Sequence, residues 1–381
     1  MRILVVFIDM IRANRHVLFN DKIKNKTLID LKLQELGGTV YKNFFSEAPD
    51  TPRAMGTFIS GDLPYKNNCD SRTKWPRYYL ESDDNIFDQL IKSKYEMTFF
   101  SNPNERRTGM FSENISQLGI HNEDYNLDKY LKNIKLKENH FLFISFPDFH
   151  WAIDDFGANT YGEKKGYEII SRNLDIIFKN INKDDLDHLF IFSDHGFKLK
   201  SEIKKQPTFQ ILNSDRTNSI LFHRKKKENE IQFSEKLCGI TQFYSTLNDL
   251  LHKTKSKNSF LSGKSKDYII IEDFLNFGQA INDYPQIWSI VSKEEIYIRT
   301  LENGYLLNRS NQILETGIDY KKDQLIAKNS TFSKYSKQKQ NIEIYKKFIL
   351  KQTTYMDGSL RKKTPVILKF IFFIRDLLFK R

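Results

Sequence analysis

The chain has 381 residues, of which 39% are hydrophobic and 28% are charged, and this composition excludes a wholly disordered protein. Two cysteines are too few for a disulfide framework or a cysteine-based zinc site. The formal charge of +12 suits an anionic partner, but no RNA- or DNA-binding motif is present, so nucleic acid is disfavoured.

The first element predicted in chain order is a buried strand, in the apolar run Arg2–Ile8. The run lacks the small-residue cleavage site of a signal peptide. No stretch reaches the roughly 18 uncharged apolar residues of a transmembrane helix. We therefore expect a cytoplasmic protein.

Further short apolar runs predict four more strands, at residues 97–100, 141–146, 189–192 and 220–222. Segments with helical spacing lie between them, at 85–94 and 166–180 for example. This alternation predicts an α/β fold with a mostly parallel central sheet and helices on both faces.

Three of the predicted strands are followed by an acid: Asp9, Asp148 and Asp194. In open α/β sheets, ligands bind outside the carboxyl ends of the strands. We therefore expect these three carboxylates to face one crevice.

The C-terminal part of the chain has a different pattern, which begins after a polar stretch at 252–266. Short strands are predicted at 268–271, 287–291, 295–299 and 305–308, and a helix at 341–351. The predicted domains are a catalytic domain at 1–255, a small antiparallel β subdomain at 267–328, a helical extension at 329–360 and a basic amphipathic tail at 361–381.

The tail, RKKTPVILKFIFFIRDLLFKR, combines many apolar residues with basic ones. It is too short and too charged to span a bilayer, and its composition suits an interfacial helix on an anionic membrane surface. We therefore expect a peripheral position on the inner face of the cell membrane. A helix packed on the protein or a dimer contact is the alternative.

Two segments carry candidate metal ligands. Asp194 and His195 lie in Ser193-Asp194-His195-Gly196, directly after a predicted strand, where both side chains can reach one divalent cation. Asp9 ends the first strand, and its alternative role is a helix cap.

A third segment begins at Thr51, where apolar spacing predicts a helix that ends near Gly61. A hydroxyl at a helix N-terminus beside a metal ion can act as a nucleophile toward phosphorus. Arg53 is a candidate for binding a phosphate oxygen. The alternative is that Thr51 only caps the helix.

Together these segments resemble the alkaline-phosphatase superfamily, which includes sulfatase-like enzymes. Ile8-Asp9-Met10-Ile11-Arg12 matches the pattern I-D-x-x-R, and Ser193-Asp194-His195-Gly196 matches S-D-H-G. Thr51 and Gly61 have the spacing of the family pattern T-x-P-S-x-x-S-x-L-T-G, although Arg53 stands where Pro is usual. The resemblance covers about residues 1–255.

The resemblance implies a site for one or two divalent ions, with zinc or manganese favoured and magnesium an alternative. Asp9, Asp194, His195 and Thr51 would hold the first ion. Asp148 would hold a second, with His150, Asp154 or Asp155 in place of the usual histidine, because position 152 is Ala. His223 is a further candidate ligand.

The resemblance also bears on the reaction. Sulfatases of this superfamily use a Cys or Ser that is oxidised to formylglycine in C-x-P-x-R or S-x-P-x-R, and neither pattern occurs here. We therefore predict phosphoryl transfer or hydrolysis with Thr51 as nucleophile, on a phosphorylated small molecule or a lipid-linked intermediate of a surface polysaccharide. A plain phosphodiesterase or phosphatase, a sulfatase-like hydrolase and a non-catalytic binding module remain alternatives.

Overall fold

The computed structural model describes residues 1–67, 69, 85–102, 119–122, 124–203, 212–273, 287–300, 303–330 and 332. In these ranges the chain forms an eight-stranded sheet and a five-stranded sheet. No helix in them is long and apolar enough to cross a membrane. The predicted helix at 341–351 and the tail at 361–381 lie outside the described residues.

The larger sheet is mostly parallel, as predicted. Its strands are β1 (Arg2–Ile8), β2 (Gly38–Phe45), β3 (Glu96–Phe100), β4 (Ile120–His121), β5 (His140–Phe146), β6 (His188–Phe192), β7 (Leu221–Lys225) and β8 (Ile231–Gly239). Their spatial order is β4-β3-β5-β1-β6-β7-β2-β8. β7 runs antiparallel to both of its neighbours, and the other adjacent pairs are parallel.

Helices cover both faces of this sheet. They are α1 (Leu28–Leu36), α2 (Thr51–Ser60), α3 (Ile86–Lys92), α4 (Leu127–Asn133), α5 (Asp148–Phe156), α6 (Thr160–Asn180), α7 (Lys200–Ile203), α8 (Ser214–Thr217), α9 (Gln242–His252) and α10 (Tyr320–Asn329). Alternate residues of β1 pack with α1, α4, α5 and α6 on one face and with α2, α3 and α9 on the other. Each fully buried Val, Leu or Ile side chain contributes about 1.5–3 kcal/mol, and burial on both faces explains why the sequence of β1 is continuously apolar.

The smaller sheet is antiparallel, as predicted for the C-terminal part. Its strands are β9 (Ile269–Asp273), β10 (Ile287–Val291), β11 (Glu295–Arg299), β12 (Gly304–Asn308) and β13 (Ile313–Thr316), in the order β13-β12-β11-β10-β9. One face packs against Phe45 of β2 and Leu237 of β8. The other is covered by α10, where Ile326 joins the cluster around Trp288. The smaller sheet therefore packs beside β2, the strand that leads to α2 and Thr51, and beside β8.

Candidate metal centre

Three predicted ligands meet at the carboxyl edge of the larger sheet. Asp9 directly follows β1, and Asp194 and His195 follow the adjacent parallel strand β6. One ligand atom from each of the three lies within 4.8 Å of the others, and all three residues are buried. Among the residues that the structure describes, this is the group of His, Cys, Asp or Glu that could hold a metal ion.

Backbone amides orient the carboxylate of Asp194. Its Oδ1 accepts hydrogen bonds from the N–H of Met10 at 3.2 Å and of His195 at 2.8 Å. Met10 has a φ of 70°, which is costly for a residue other than glycine and is found at functional sites. With Oδ1 engaged by the backbone, Oδ2 of Asp194 is the oxygen directed at the other ligands.

The tautomer of His195 follows from its hydrogen bond. Nδ1 lies 2.8 Å from the carbonyl oxygen of Gly196, which can only accept, so Nδ1 carries the hydrogen and Nε2 has a free lone pair. Nε2 lies 3.6 Å from Asp9 Oδ1 and 3.5 Å from Asp194 Oδ2. A Cβ at position 196 would lie 2.2 Å from the Asp215 carbonyl oxygen, so this close turn requires glycine.

The electrostatics of the group favour a cation. Oδ1 of Asp9 is buried and has no hydrogen-bond partner among the described residues. Burial, together with the negative charge of Asp9, raises the pKa of Asp194 to about 6. An unpartnered buried carboxylate oxygen beside a second carboxylate and an imidazole is a set of ligand atoms that fits a divalent cation.

Thr51 reaches this group from α2, which packs on the same face of the sheet as α3 and α9. It is the first residue of α2, and its Oγ1 donates a hydrogen bond to Asp194 Oδ2 at 2.7 Å. Asp50 caps the helix by accepting the N–H of Arg53 at 3.3 Å, and Gly61 ends it with a φ of 72°. The partial positive charge of the helix dipole at the N-terminus of α2 favours an anion next to Thr51.

Of the residues predicted for a second ion, His150 is close to the group. Its Nδ1 lies 2.8 Å from Asp9 Oδ2, and its Nε2 lies 3.9 Å from Asp154 Oδ2. Burial lowers the pKa of His150, but the carboxylate of Asp9 outweighs this and raises it to about 9. Asp148 accepts a hydrogen bond from the Tyr125 hydroxyl, and it does not join the group of three ligands.

Arg53, the candidate for binding a phosphate oxygen, is paired with carboxylates of the protein. It is only 1% exposed, and its guanidinium donates to the carboxylates of Asp50 and Asp273 and to the carbonyl of Glu272. Neither Asp50 nor Asp273 was singled out from the sequence. An Asp directly before a predicted helix is a cap signal for Asp50, whereas Asp273 has no local signal.

His223 lies apart from the candidate metal ligands. It lies in β7, stacks on Phe190, and its Nε2 is 2.9 Å from Nδ1 of His188 at the start of β6. Because β7 is antiparallel to β6, the end of β7 lies at the opposite edge of the sheet from Asp194. His223 pairs with Phe190 in the middle of β6, and its contact with His188 makes the two histidines a buried core pair.

This histidine pair predicts acid sensitivity of the fold. Burial lowers the pKa of His188 to about 4 and that of His223 well below its usual value. Below about pH 6.5 both histidines become protonated in the unfolded state, whereas they stay neutral in the native state. Lowering the pH from 7 to 5 therefore reduces the free energy of unfolding by about 2 kcal/mol per histidine. Urea unfolding should show a flatter pH dependence for the double variant His188→Leu/His223→Leu, and an unchanged slope would contradict this assignment.

Comparisons with known proteins bear on the fold. No protein-family model matches the sequence, and no curated protein matches it. A 2-O GAG sulfatase matches with a TM-score of 0.57 and 14% identity over 93% of each chain. A phosphonate monoester hydrolase from Silicibacter pomeroyi has a TM-score of 0.57 and 11% identity, over 90% of this chain and 95% of that one.

A protein in the alkaline phosphatase superfamily from Vibrio parahaemolyticus matches with a TM-score of 0.58 and 11% identity, over 87% of this chain and 86% of that one. The chain has the fold of the alkaline-phosphatase superfamily. This confirms the resemblance inferred from the sequence, at the level of the fold. In this alkaline-phosphatase-like fold, the nucleophile candidate on α2 and the ligands after β1 and β6 converge at one edge of the central sheet.

Proposed function

We propose that the protein is a metal-dependent enzyme that hydrolyses or transfers a phosphate-linked group with Thr51 as its nucleophile. The observation that carries the proposal is the 2.7 Å hydrogen bond from Thr51 Oγ1 to Asp194 Oδ2, within the group of buried ligands. A helix cap alone would not require the Thr51 hydroxyl to face the carboxylate of Asp194, which follows β6. Asp50, and not Thr51, caps α2.

Asp9, Asp194 and His195 would hold a divalent cation, with zinc or manganese favoured by the mixed oxygen and nitrogen donors and magnesium an alternative. When bound, the cation would supply positive charge to the anionic ester and lower the pKa of the Thr51 hydroxyl. His150 and Asp154 are candidates for contacts to a second ion or to the leaving group.

The proposed reaction has two displacements at phosphorus. The Thr51 oxygen attacks while its proton leaves, the bond from phosphorus to the leaving oxygen breaks, and that oxygen takes up a proton. A water molecule or an acceptor hydroxyl then attacks phosphorus and loses a proton, the bond from phosphorus to the Thr51 oxygen breaks, and that oxygen takes up a proton. The partial positive charge at the N-terminus of α2 would stabilise the negative charge on a non-bridging oxygen in both steps.

The proposal favours phosphate over sulfate esters because of residue 51. Sulfatases of the superfamily use an oxidised Cys or Ser, and this chain has Thr at the position next to the metal ligands. Sulfate-ester hydrolysis is the second candidate, since similar folds include a GAG sulfatase as well as a phosphonate monoester hydrolase. A lipid-linked or polysaccharide substrate and a membrane contact of the tail at 361–381 stay predictions from the sequence.

The deciding experiment is a substrate panel for the purified full chain. Aryl phosphate monoester, phosphate diester and sulfate ester are each incubated with zinc, manganese, magnesium or a chelator. We expect metal-dependent cleavage of a phosphate ester, abolished by the chelator. Preferential cleavage of the sulfate ester would replace the proposal by a sulfatase, and no metal binding with no turnover would indicate a binding module.

A further inference from the structure

A buried network of charged side chains connects the smaller sheet to α2, the helix that begins at Thr51. We call this set the β9 clamp and define it as Asp50, Arg53, Arg216 and Asp273. Their exposed fractions are 3%, 1%, 6% and 0%, so every member is essentially removed from water. Two positive and two negative side chains balance within the set.

Asp273, the last residue of β9, lies at the centre of the clamp. Its Oδ1 accepts a hydrogen bond from Arg53 Nη2 at 3.0 Å, and its Oδ2 accepts one from Arg216 Nε at 3.0 Å. Arg53 also donates from Nη1 to the carbonyl of the neighbouring Glu272 at 3.0 Å. One carboxylate of the smaller sheet therefore orients two arginines from the catalytic part of the chain.

Both arginines contact residues that adjoin Thr51. Arg216 Nη2 donates to the carbonyl oxygen of Pro49 at 2.8 Å, two residues before Thr51. Arg53, two residues after it, pairs with Asp50, whose carboxylate also caps the helix. Residues on each side of Thr51 are thus held by charged groups in surroundings that strengthen such hydrogen bonds.

We propose that Asp273, acting through Arg53 and Arg216, is a positioning residue that fixes Thr51 against Asp194. This inference rests on the proposed function of Thr51 as nucleophile. It assigns the smaller sheet a role in catalysis, because the carboxylate at the end of β9 is what aligns the two arginines. It also replaces the substrate-binding role predicted for Arg53.

The test compares Asp273→Asn with Asp323→Asn in the full chain. Asp323 pairs with Arg299 at 2.8 Å in the same subdomain and lies outside the clamp, so it is a matched control for loss of an Arg–Asp pair there. If Asp273→Asn does not fold, Asp273→Asn/Arg216→Gln keeps the clamp neutral and takes its place. Metal affinity, KM and kcat are measured on the best ester of the substrate panel, and crystal structures give the distance from Thr51 Oγ1 to Asp194 Oδ2.

We expect kcat to fall about 10- to 100-fold, as for a nucleophile displaced by about 1 Å, with KM and metal affinity within about twofold of wild type. Asp323→Asn should keep the wild-type kcat. An unchanged kcat would overturn the inference. A fall in kcat accompanied by weaker metal binding and a higher KM would also overturn it. If the wild type cleaves no ester, the proposed function fails, and the crystal structures alone decide: a displaced Thr51 supports the clamp and an intact Thr51–Asp194 hydrogen bond overturns it.

Discussion

Replacing Thr51 with valine should lower kcat for ester cleavage by about 10³-fold or more, the loss typical of removing an enzymatic nucleophile. Valine keeps the shape of threonine and removes the oxygen that lies 2.7 Å from Asp194 Oδ2. The three ligands Asp9, Asp194 and His195 remain, so the variant should still bind metal. Steady-state kinetics with a saturating cation, together with a metal titration, measure both quantities.

Two further variants separate this effect from a change in the helix. Thr51→Ser keeps a hydroxyl and should retain substantial activity. Thr57→Val makes the same chemical change on the same helix, at a buried hydroxyl that has no hydrogen-bond partner among the described residues, and should leave kcat unaltered. If Thr51→Val turned over within about tenfold of wild type, a nucleophile other than Thr51 would be required.

The convergence of Asp9, Asp194 and Thr51 could be predicted from sequence because each lies next to a strong local signal. The acids follow continuous apolar strands, and Thr51 opens a helix whose apolar period ends at Gly61. The carboxyl ends of parallel strands lie at one edge of a sheet. Local patterns were therefore sufficient to predict that the residues after β1 and β6 lie at the same edge. The predicted boundaries of β1, β10 and β11 match the structure to the residue.

Other features depend on contacts that no local pattern encodes. The direction of β7 is set by its place between β6 and β2, and in that direction the chain runs away from the candidate ligands, with His223 beside Phe190 in the middle of β6. Arg53 has the charge for a phosphate site, but its partner Asp273 lies 220 residues later and buries it. β8 was missed because polar residues interrupt Ile231 and Phe233 in its first half, which is half-buried or exposed at the end of the sheet.

Replacing Asp194 with asparagine should weaken binding of the divalent cation by at least about 100-fold, since it removes a charged ligand and not merely an outer contact. The amide still accepts the N–H groups of Met10 and His195 at one oxygen, but it presents a neutral NH₂ where Oδ2 faced Thr51 and His195. Isothermal titration calorimetry measures the Kd. Thermal unfolding gives an independent readout, because a cation at about 100 times its Kd adds about 2.7 kcal/mol of stability.

Asp249→Asn is the matched control for this change. Asp249 is buried, and its carboxylate accepts hydrogen bonds from Thr254, Ser256 and Ser262 at the end of α9, among residues that supply no ligand to the centre. That variant should lose stability but keep the wild-type metal affinity. Equal metal affinity in Asp194→Asn and wild type would place the cation elsewhere, and the proposed role of Thr51 as nucleophile would then lose its support.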